Sequence, residues 1–187
     1  MNVKKKLKEK LHEQIIDPLD DKEIIDYLPD AKILTYPELE NINTIEQLLP
    51  NDKSYFILLY LDSPNSGHWT LLSRYKNTIE FFCSYGSKPD ASLLWLDFST
   101  RVELKTDKPH LTRLLNDATN KFKIVYNPIQ YQSKNTSVAT CGRYCIYRIK
   151  CLLEKNLNLE KFYTHMNGLR RVAGLTNDEI VSLQIFT

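Results

Sequence analysis

The sequence predicts an α+β fold with a mixed, largely antiparallel sheet between helices. Three observations support this prediction. Residues 1–50 carry apolar side chains at helical spacing, the middle of the chain is rich in aromatic and β-branched residues, and the last third is again helical in pattern. No internal repeat or low-complexity stretch divides the 187 residues. We therefore expect one domain over 1–187, in which residues 1–50 are helical and residues 51–187 hold the sheet and a helix opening at Cys141.

Three short helices are predicted in residues 1–50. The first covers Lys4 to Ile16 and ends at Asp17-Pro18, because a proline and the residue before it do not continue a helix. The second opens in the acidic stretch that begins at Asp20. The third covers Asn43 to Leu49, and Asn43 is its expected capping residue.

The middle of the chain predicts the sheet. Ser54 to Leu61 has the length and composition of a buried strand, and His68 to Tyr75 with Thr78 to Tyr85 predict a hairpin that turns at Lys76-Asn77. Two helices and one more strand are predicted after the hairpin: Leu93 to Phe98, Leu111 to Ala118 and Phe122 to Tyr126. The C-terminal third predicts a helix from Cys141 that stops at Asn156, followed by helices at Leu159 to Met166 and Asn177 to Phe186.

Composition excludes several classes of function. The net charge of +2 is too small to indicate nucleic-acid binding by itself, and the longest apolar run, Tyr55 to Leu61, is far shorter than the ~20 residues that cross a bilayer. The four cysteines have neither the paired spacing of a zinc site nor the density of a disulfide scaffold. We therefore expect a soluble protein of a reducing compartment, with no metal, no cofactor and no membrane partner.

Three polar residues in a fixed order suggest acyl transfer by a thiol. His68 follows Gly67 at the start of a predicted strand, Gln132 lies in a polar loop, and Cys141 opens a predicted helix. A cysteine in the first turn of a helix meets unpaired N–H groups and the positive end of the helix dipole, which favour a thiolate. Taken alone, a helical cysteine is more often a small core residue, and a strand histidine is more often structural. The three together in this order favour a nucleophile, a base and a donor to the oxyanion.

Two assignments stay open at this point. Gln130 lies two residues before Gln132 and is an alternative oxyanion donor. The group that orients the base is also open: a two-residue turn at Lys76-Asn77 places position 83 diagonal to His68 on one face of the sheet, and that position holds Cys83 instead of an acid. A thiol is a weak acceptor for an imidazole N–H. Ser84, an acid elsewhere or no residue at all remain alternatives.

At these residues the chain resembles the adenovirus-type (adenain-like) maturation proteases and the wider SUMO-protease clan of cysteine peptidases, in particular the members encoded by virophages, Polinton-like elements and some giant viruses. The resemblance covers roughly residues 20 to 155 and is carried by five segments: Ile33 to Leu39, Gly67-His68-Trp69, Phe82-Cys83-Ser84-Tyr85-Gly86, Tyr131-Gln132 and Thr140-Cys141-Gly142-Arg143-Tyr144-Cys145. It implies a papain-like or SUMO-protease-like fold with the nucleophile at a helix N-terminus. It also implies Cys141 as nucleophile, His68 as base and Gln132 as oxyanion donor, whereas the family has Asp or Glu where this chain has Cys83.

The resemblance implies a thiol endopeptidase that cleaves viral capsid or core precursors during virion maturation, after small residues such as Gly-Gly. It implies a monomer that works in the virus factory of the host cytoplasm and in the virion. Two alternatives are an isopeptidase acting on ubiquitin-like or SUMO-like tags and a catalytically impaired capsid-associated protein. The basic residues near the N-terminus suggest at most a weak DNA contact, and a solvated helix face explains them better: Lys4, Lys5, Lys6, Lys8 and Lys10.

Overall fold

The computed structural model describes residues 3–185, with side chains from residue 8 onward. Contacts between residues divide the chain into two compact units. One, the helical unit, comprises residues 1–29 and 130–187, and the other, the sheet unit, comprises residues 30–129. Both helices and a mixed sheet are present, which confirms the predicted α+β class.

The sheet unit contains one five-stranded sheet whose strands follow chain order. The strands are β1 (Lys32–Thr35), β2 (Tyr55–Ser63), β3 (Ser66–Tyr75), β4 (Thr78–Phe82) and β5 (Lys123–Tyr126). The central strand β3 pairs antiparallel with both β2 and β4, while β1 and β5 pair parallel with β2 and β4 at the two edges. The sheet is therefore mixed, as predicted, with an antiparallel centre.

Helical segments in the sheet unit are short. Three 3₁₀ helices cover Tyr36–Asn41, Ile45–Gln47 and Ala91–Trp95, and two α-helices, α3 (Phe98–Glu103) and α4 (His110–Asp117), precede β5. One apolar core joins the strands to the 3₁₀ helices and to α4, and its largest members include Tyr36, Phe56 and Phe81.

The helical unit contains α1 (Val3–Ile16), α2 (Asp21–Tyr27), α5 (Cys141–Lys155), α6 (Leu159–Ala173) and α7 (Asn177–Gln184). Helix α5 packs against α2 and α7, and α7 also packs against α1 and α6. Asp20 opens α2 as predicted, through a capping box in which its carboxylate accepts from the Glu23 N–H and the Glu23 carboxylate accepts from the Asp20 N–H. Asn156, in the left-handed conformation, ends α5 where the sequence predicts.

Four predicted boundaries were wrong, each for a local reason. The predicted helix at 93–98 is two segments, because the Asp97 carboxylate accepts from the Thr100 N–H and caps a new helix there. Strand β4 ends at Phe82 instead of Tyr85, because the chain turns with a 2.9 Å hydrogen bond from the Gly86 N–H to the Cys83 carbonyl. Helix α6 runs to Ala173, where Gly174 ends it. The short helix after Asn43 is a 3₁₀ turn with Thr44 at its N-cap.

Strand β1 was not predicted at all. It has four residues, and its one fully inward side chain is Leu34, which is too short a pattern to distinguish from the neighbouring helical segments. Its partner is β2, more than twenty residues later in the chain, so the pairing depends on non-local hydrogen bonds.

Part of the N-terminal lysine cluster and the end of the last predicted helix lie outside the described residues. The side chains of Lys4, Lys5 and Lys6 and the residue Phe186 are outside the described residues, whereas Lys8 and Lys10 are exposed. Among residues 3–185, no helix is long and apolar enough to cross a bilayer.

Candidate active site

The candidate residues fall into two groups, one in each unit. His68 and Cys83 belong to the sheet unit, while Gln132 and Cys141 belong to the helical unit. The sequence predicts chemistry for all four, and each unit fixes its own pair by local contacts.

His68 lies near the start of β3, opposite Tyr60 of β2, and is 7% exposed. The glycine before it has a steric reason. A Cβ atom on Gly67 would lie 2.0 Å from the Tyr60 carbonyl oxygen, so no side chain fits where β2 and β3 approach each other. The Gly-His pair is therefore a structural device as well as a sequence motif, because the glycine brings the histidine backbone close to β2.

The register of the hairpin places Cys83 beside His68. Tyr75 pairs with Thr78 and Leu71 with Phe82, which confirms the predicted two-residue turn. Cys83 is the first residue after β4 and is fully buried. Its Sγ lies 3.2 Å from Nε2 of His68, so the predicted diagonal contact between positions 68 and 83 is present.

Two aromatic rings enclose the His68 imidazole. The Tyr85 ring centroid lies 4.8 Å from the imidazole centroid, and the Trp95 centroid lies 5.6 Å away. The indole of this pair belongs to Trp95, which lies in a separate 3₁₀ helix and which the sequence did not connect with His68.

Burial keeps both groups of this contact neutral. It lowers the pKa of His68 from its ordinary 6.5 to about 3, and it raises the pKa of the Cys83 thiol above its ordinary range. Hydrogen bonds from the backbone of Ser87, Tyr85 and Gly86, and from the Ser87 side chain, lower the pKa of the thiol without outweighing its burial. At neutral pH the pair is therefore an uncharged imidazole beside an uncharged thiol.

Asn127 fixes the backbone of Cys83, a role that the sequence did not reveal. This asparagine is fully buried, and its Nδ2 donates to the Cys83 carbonyl and to the Ile129 carbonyl, each at 2.8 Å. Its Oδ1 accepts from the Ile129 N–H at 2.9 Å. In the sequence, Asn127 is only the residue between the predicted strand at 122–126 and a proline. A buried amide bridging two segments has no signature in a single sequence.

In the helical unit, Cys141 is the first residue of α5 and is 9% exposed. Thr140 is the N-cap residue, but its side chain makes no capping hydrogen bond. Its hydroxyl donates instead to Oδ1 of Asp178 at 2.6 Å. The first-turn N–H groups are thus not used by the N-cap side chain, and this is the environment that favours a thiolate or an oxyanion.

Asp178, in the first turn of α7, holds this helix start and was also missed. It is buried, and Oδ1 accepts from Thr140 and from the Tyr144 hydroxyl, the latter at 3.2 Å. Its Oδ2 accepts from the Ser133 N–H at 3.1 Å. Burial and the neighbouring Asp178 raise the pKa of Tyr144, so its hydroxyl stays protonated and donates. One carboxylate therefore anchors both the loop before α5 and the first turn of α5.

The two candidate glutamines differ in burial. Gln132 is 1% exposed and its Nε2 donates to the Val138 carbonyl at 3.2 Å, within the loop that leads to Cys141. Gln130 is exposed, and its Nε2 donates to the Gln132 carbonyl at 3.1 Å. Both glutamines are therefore bonded within the stretch that precedes α5, but only Gln132 is buried.

Arg143 adds a cation next to Cys141. It is buried in the second position after the cysteine, and one guanidinium nitrogen donates to the Asp17 carbonyl at 2.6 Å. Burial lowers the pKa of Arg143, whereas Coulomb attraction to Asp17, Glu23, Tyr27 and Cys141 opposes that change. The same attraction favours the charged form of the Cys141 thiol.

The other histidines and cysteines contribute to packing. His12 is exposed, whereas His110 and His165 are half-buried, and Nε2 of His165 lies 2.7 Å from the Tyr147 hydroxyl. All four cysteines are buried, and none of them forms a disulfide. Within residues 3–185, no group of three or more His, Cys, Asp or Glu residues is placed to hold a metal ion.

Comparison with known proteins gives a weak structural likeness and a clear relative. No family model matches the chain. Two solved structures of the ASFV pS273R protease are similar. One has a TM-score of 0.37 and 19% identity and covers 70% of this chain, which spans 41% of the protease. The other, a selenomethionine form, has a TM-score of 0.47 and 14% identity, with 91% and 67% of the two chains covered. At these TM-scores the likeness decides nothing about activity.

The fold and the site define an α+β protein with a histidine–thiol contact at its sheet and a cysteine at the start of a buried helix. A virophage protein is similar in sequence: the uncharacterized protein V9 of the Sputnik virophage is 34% identical over 154 residues, which cover 82% of this chain and 85% of V9. The chain belongs to the same family as V9.

Proposed function

We propose that this chain is a cysteine endopeptidase of the adenain-like type, which cleaves viral capsid or core precursors during virion maturation, after small residues such as Gly-Gly. The observation that carries the proposal is the placement of Cys141 at the start of α5, where the N-cap side chain leaves the first-turn N–H groups to other partners. Membership in a family with a virophage protein supports the viral setting.

In the proposed reaction, Sγ of Cys141 attacks the carbonyl carbon of the scissile peptide bond. His68 takes the thiol proton and then delivers it to the leaving amine, so that the peptide C–N bond breaks and a thioester remains on Cys141. A water molecule then attacks the thioester carbon. It gives one proton back to the sulfur by way of His68 and releases the new carboxyl terminus.

The negative charge that develops on the carbonyl oxygen needs hydrogen-bond donors. We assign the Cys141 backbone N–H and the Gln132 amide to this role. Gln132 suits it better than Gln130, because its side chain is buried and bonded into the loop before α5, whereas Gln130 is exposed. A donor fixed in advance stabilises the oxyanion more than one that must be ordered during the reaction.

Cys83 gives a specific reason to keep one competing function. A base without a carboxylate partner and with a lowered pKa is a weaker proton acceptor, which favours a catalytically impaired, capsid-associated structural protein. An isopeptidase acting on ubiquitin-like or SUMO-like tags would use the same residues on a folded substrate.

We propose a monomer located in the virus factory of the host cytoplasm and in the virion. Any DNA contact through the N-terminal lysines would be weak, and it would fall steeply as salt is raised.

The deciding experiment is incubation of the wild-type protein with a candidate capsid precursor and with a short Gly-Gly peptide. Cleavage should be abolished in Cys141→Ala and retained in Cys145→Ala, which removes a buried thiol one turn later in the same helix. Cleavage of a ubiquitin-like conjugate, with the short peptide left intact, would support the isopeptidase instead. Absence of cleavage for every substrate would favour the impaired protein.

Alkylation of Cys141 separates an inactive site from a wrong substrate. At pH 6 iodoacetamide should label Cys141 faster than a free thiol, because the helix N-terminus and Arg143 favour the thiolate. His68→Ala should then lower the cleavage rate strongly. The labelling of Cys151, a buried thiol that has no part in the reaction, should change far less in this variant. Labelling of Cys141 no faster than a free thiol would contradict the assignment of the nucleophile.

A further inference from the structure

Cys83 is the polar group that the structure places directly against His68. Its Sγ is 3.2 Å from Nε2, and its side chain is fully buried. The imidazole is packed against Tyr85 and Trp95, with ring centroids at 4.8 and 5.6 Å. The ring therefore keeps Nε2 directed at the sulfur.

Contacts of the Cys83 backbone fix the position of the sulfur. The backbone on one side of Cys83 is paired in β4, and on the other side it enters a turn closed by the Gly86 N–H at 2.9 Å. Gly86 has the left-handed φ of 72° that this turn requires. Asn127 also donates to the Cys83 carbonyl. These contacts fix the position of the sulfur without using the sulfur itself.

The contact bears on which imidazole nitrogen carries the hydrogen. A neutral histidine has one N–H and one nitrogen with a free lone pair, and the hydrogen bond at one nitrogen sets the state of the other. If Nε2–H donates to the sulfur, Nδ1 carries the lone pair and can accept a proton. If the thiol S–H donates to Nε2, Nδ1 carries the hydrogen and cannot.

We propose that Cys83 is a positioning residue for the base: its sulfur accepts the Nε2 hydrogen of His68 and so presents Nδ1 as the nitrogen that takes the proton from the nucleophile. This inference rests on the proposed function, in which His68 is the base. Because Nε2 faces the Cys83 sulfur at 3.2 Å, only Nδ1 is left to take a proton from the nucleophile. Nδ1 can do so only if Nε2 carries the ring hydrogen and the sulfur accepts it.

A thiol differs from a carboxylate in one respect that can be measured. It orients the ring but supplies no charge to stabilise an imidazolium, which agrees with the pKa of His68 lowered by burial alone. The groups around the ring are Cys83 and Tyr85 from the turn after β4, Trp95 from the 3₁₀ helix and Tyr60 opposite on β2. A carboxylate at position 83 would be the first charged group among these.

The test measures the ring first and activity second. Nitrogen chemical shifts of His68 should show the Nε2–H tautomer in the wild-type protein and a mixture of tautomers in Cys83→Ala. Cys83→Ser should keep the wild-type tautomer, because a hydroxyl also accepts. Cys83→Asp should raise the pKa of His68 by more than one unit. Cys151→Ala, at another fully buried free cysteine, should leave the shifts unchanged.

Kinetics gives the second readout. The kcat for peptide cleavage should fall roughly 10- to 100-fold in Cys83→Ala with little change in KM, and Cys83→Ser should recover some of the loss. An Nδ1–H tautomer in the wild-type protein, or shifts that do not respond in Cys83→Ala, would overturn the inference. Responding shifts in a protein that cleaves nothing would support the positioning contact and count against the proposed function alone.

Discussion

Gly67 and Cys83 show what a single residue decides at this site. The sequence predicts the position of Cys83 because the turn fixes the register of a hairpin. With Lys76-Asn77 as the turn, position 83 is diagonal to His68. The indole at the ring could not be predicted in the same way. Trp95 reaches His68 from a separate 3₁₀ helix, and no periodicity connects the two positions.

The close approach at Gly67 predicts a large loss of stability on substitution. Gly67→Ala should lower the free energy of unfolding by about 3 kcal/mol or more, because the new Cβ meets backbone, and only the strands themselves can move to make room. Urea denaturation followed by circular dichroism measures the change.

Gly168→Ala is the matched control for that substitution. It lies inside α6, and a Cβ there would meet nothing within 4 Å. It should leave stability unchanged or raise it by up to ~1 kcal/mol, the helix-propensity difference between the two residues. Equal effects of the two variants would show that the contact at Gly67 is relieved without cost.

At the scale of elements, the sequence predicted the bounds of α5 correctly but did not predict how much of the helix is buried. Its start at Cys141 and its end at Asn156 were confirmed. Its burial was not predicted: every residue from Cys141 to Ile149 is buried, including the charged Arg143 and Arg148. Arg148 is accommodated by a 2.9 Å hydrogen bond to the Leu157 carbonyl and by the face of Phe162. Such partners are distributed along the chain and cannot be inferred from helical spacing.

The start of α5 depends on one carboxylate. Asp178→Asn should lower the free energy of unfolding by roughly 1–3 kcal/mol, since an amide accepts with one oxygen only and its NH₂ group would face a donor. Amide hydrogen exchange should also quicken at residues 140–144. Glu154→Gln, at an exposed acid of the same helix, should change neither quantity. An Asp178→Asn variant as stable as this control would show that the three hydrogen bonds contribute nothing net.

At the scale of the whole molecule, local patterns predicted the elements but not how the chain divides. The hairpin, α2 and the helix after the polar loop follow from turn residues, capping residues and apolar spacing. The division into a sheet unit of residues 30–129 and a helical unit formed from both ends of the chain does not follow. It depends on contacts between residues far apart in sequence, as does the pairing of β1 with β2. The same limit explains why Asn127 and Asp178 were missed.

The buried histidine makes the stability of the molecule depend on pH. The pKa of His68 falls from about 6.5 in the unfolded chain to about 3 in the folded protein, so between these values the unfolded chain binds a proton that the folded protein does not. The contribution of His68 to the free energy of unfolding is therefore fully present above pH 6.5 and is lost as the pH falls toward 3. Lowering the pH from 7 to 5 should therefore cost roughly 2 kcal/mol through this residue. In urea denaturation, His68→Gln should lose less stability over this range than the wild-type protein, and His12→Gln, at an exposed histidine, should match the wild type. A His68→Gln variant as sensitive to acid as the wild-type protein would show that His68 is protonated in the folded state and would contradict its burial as a neutral group.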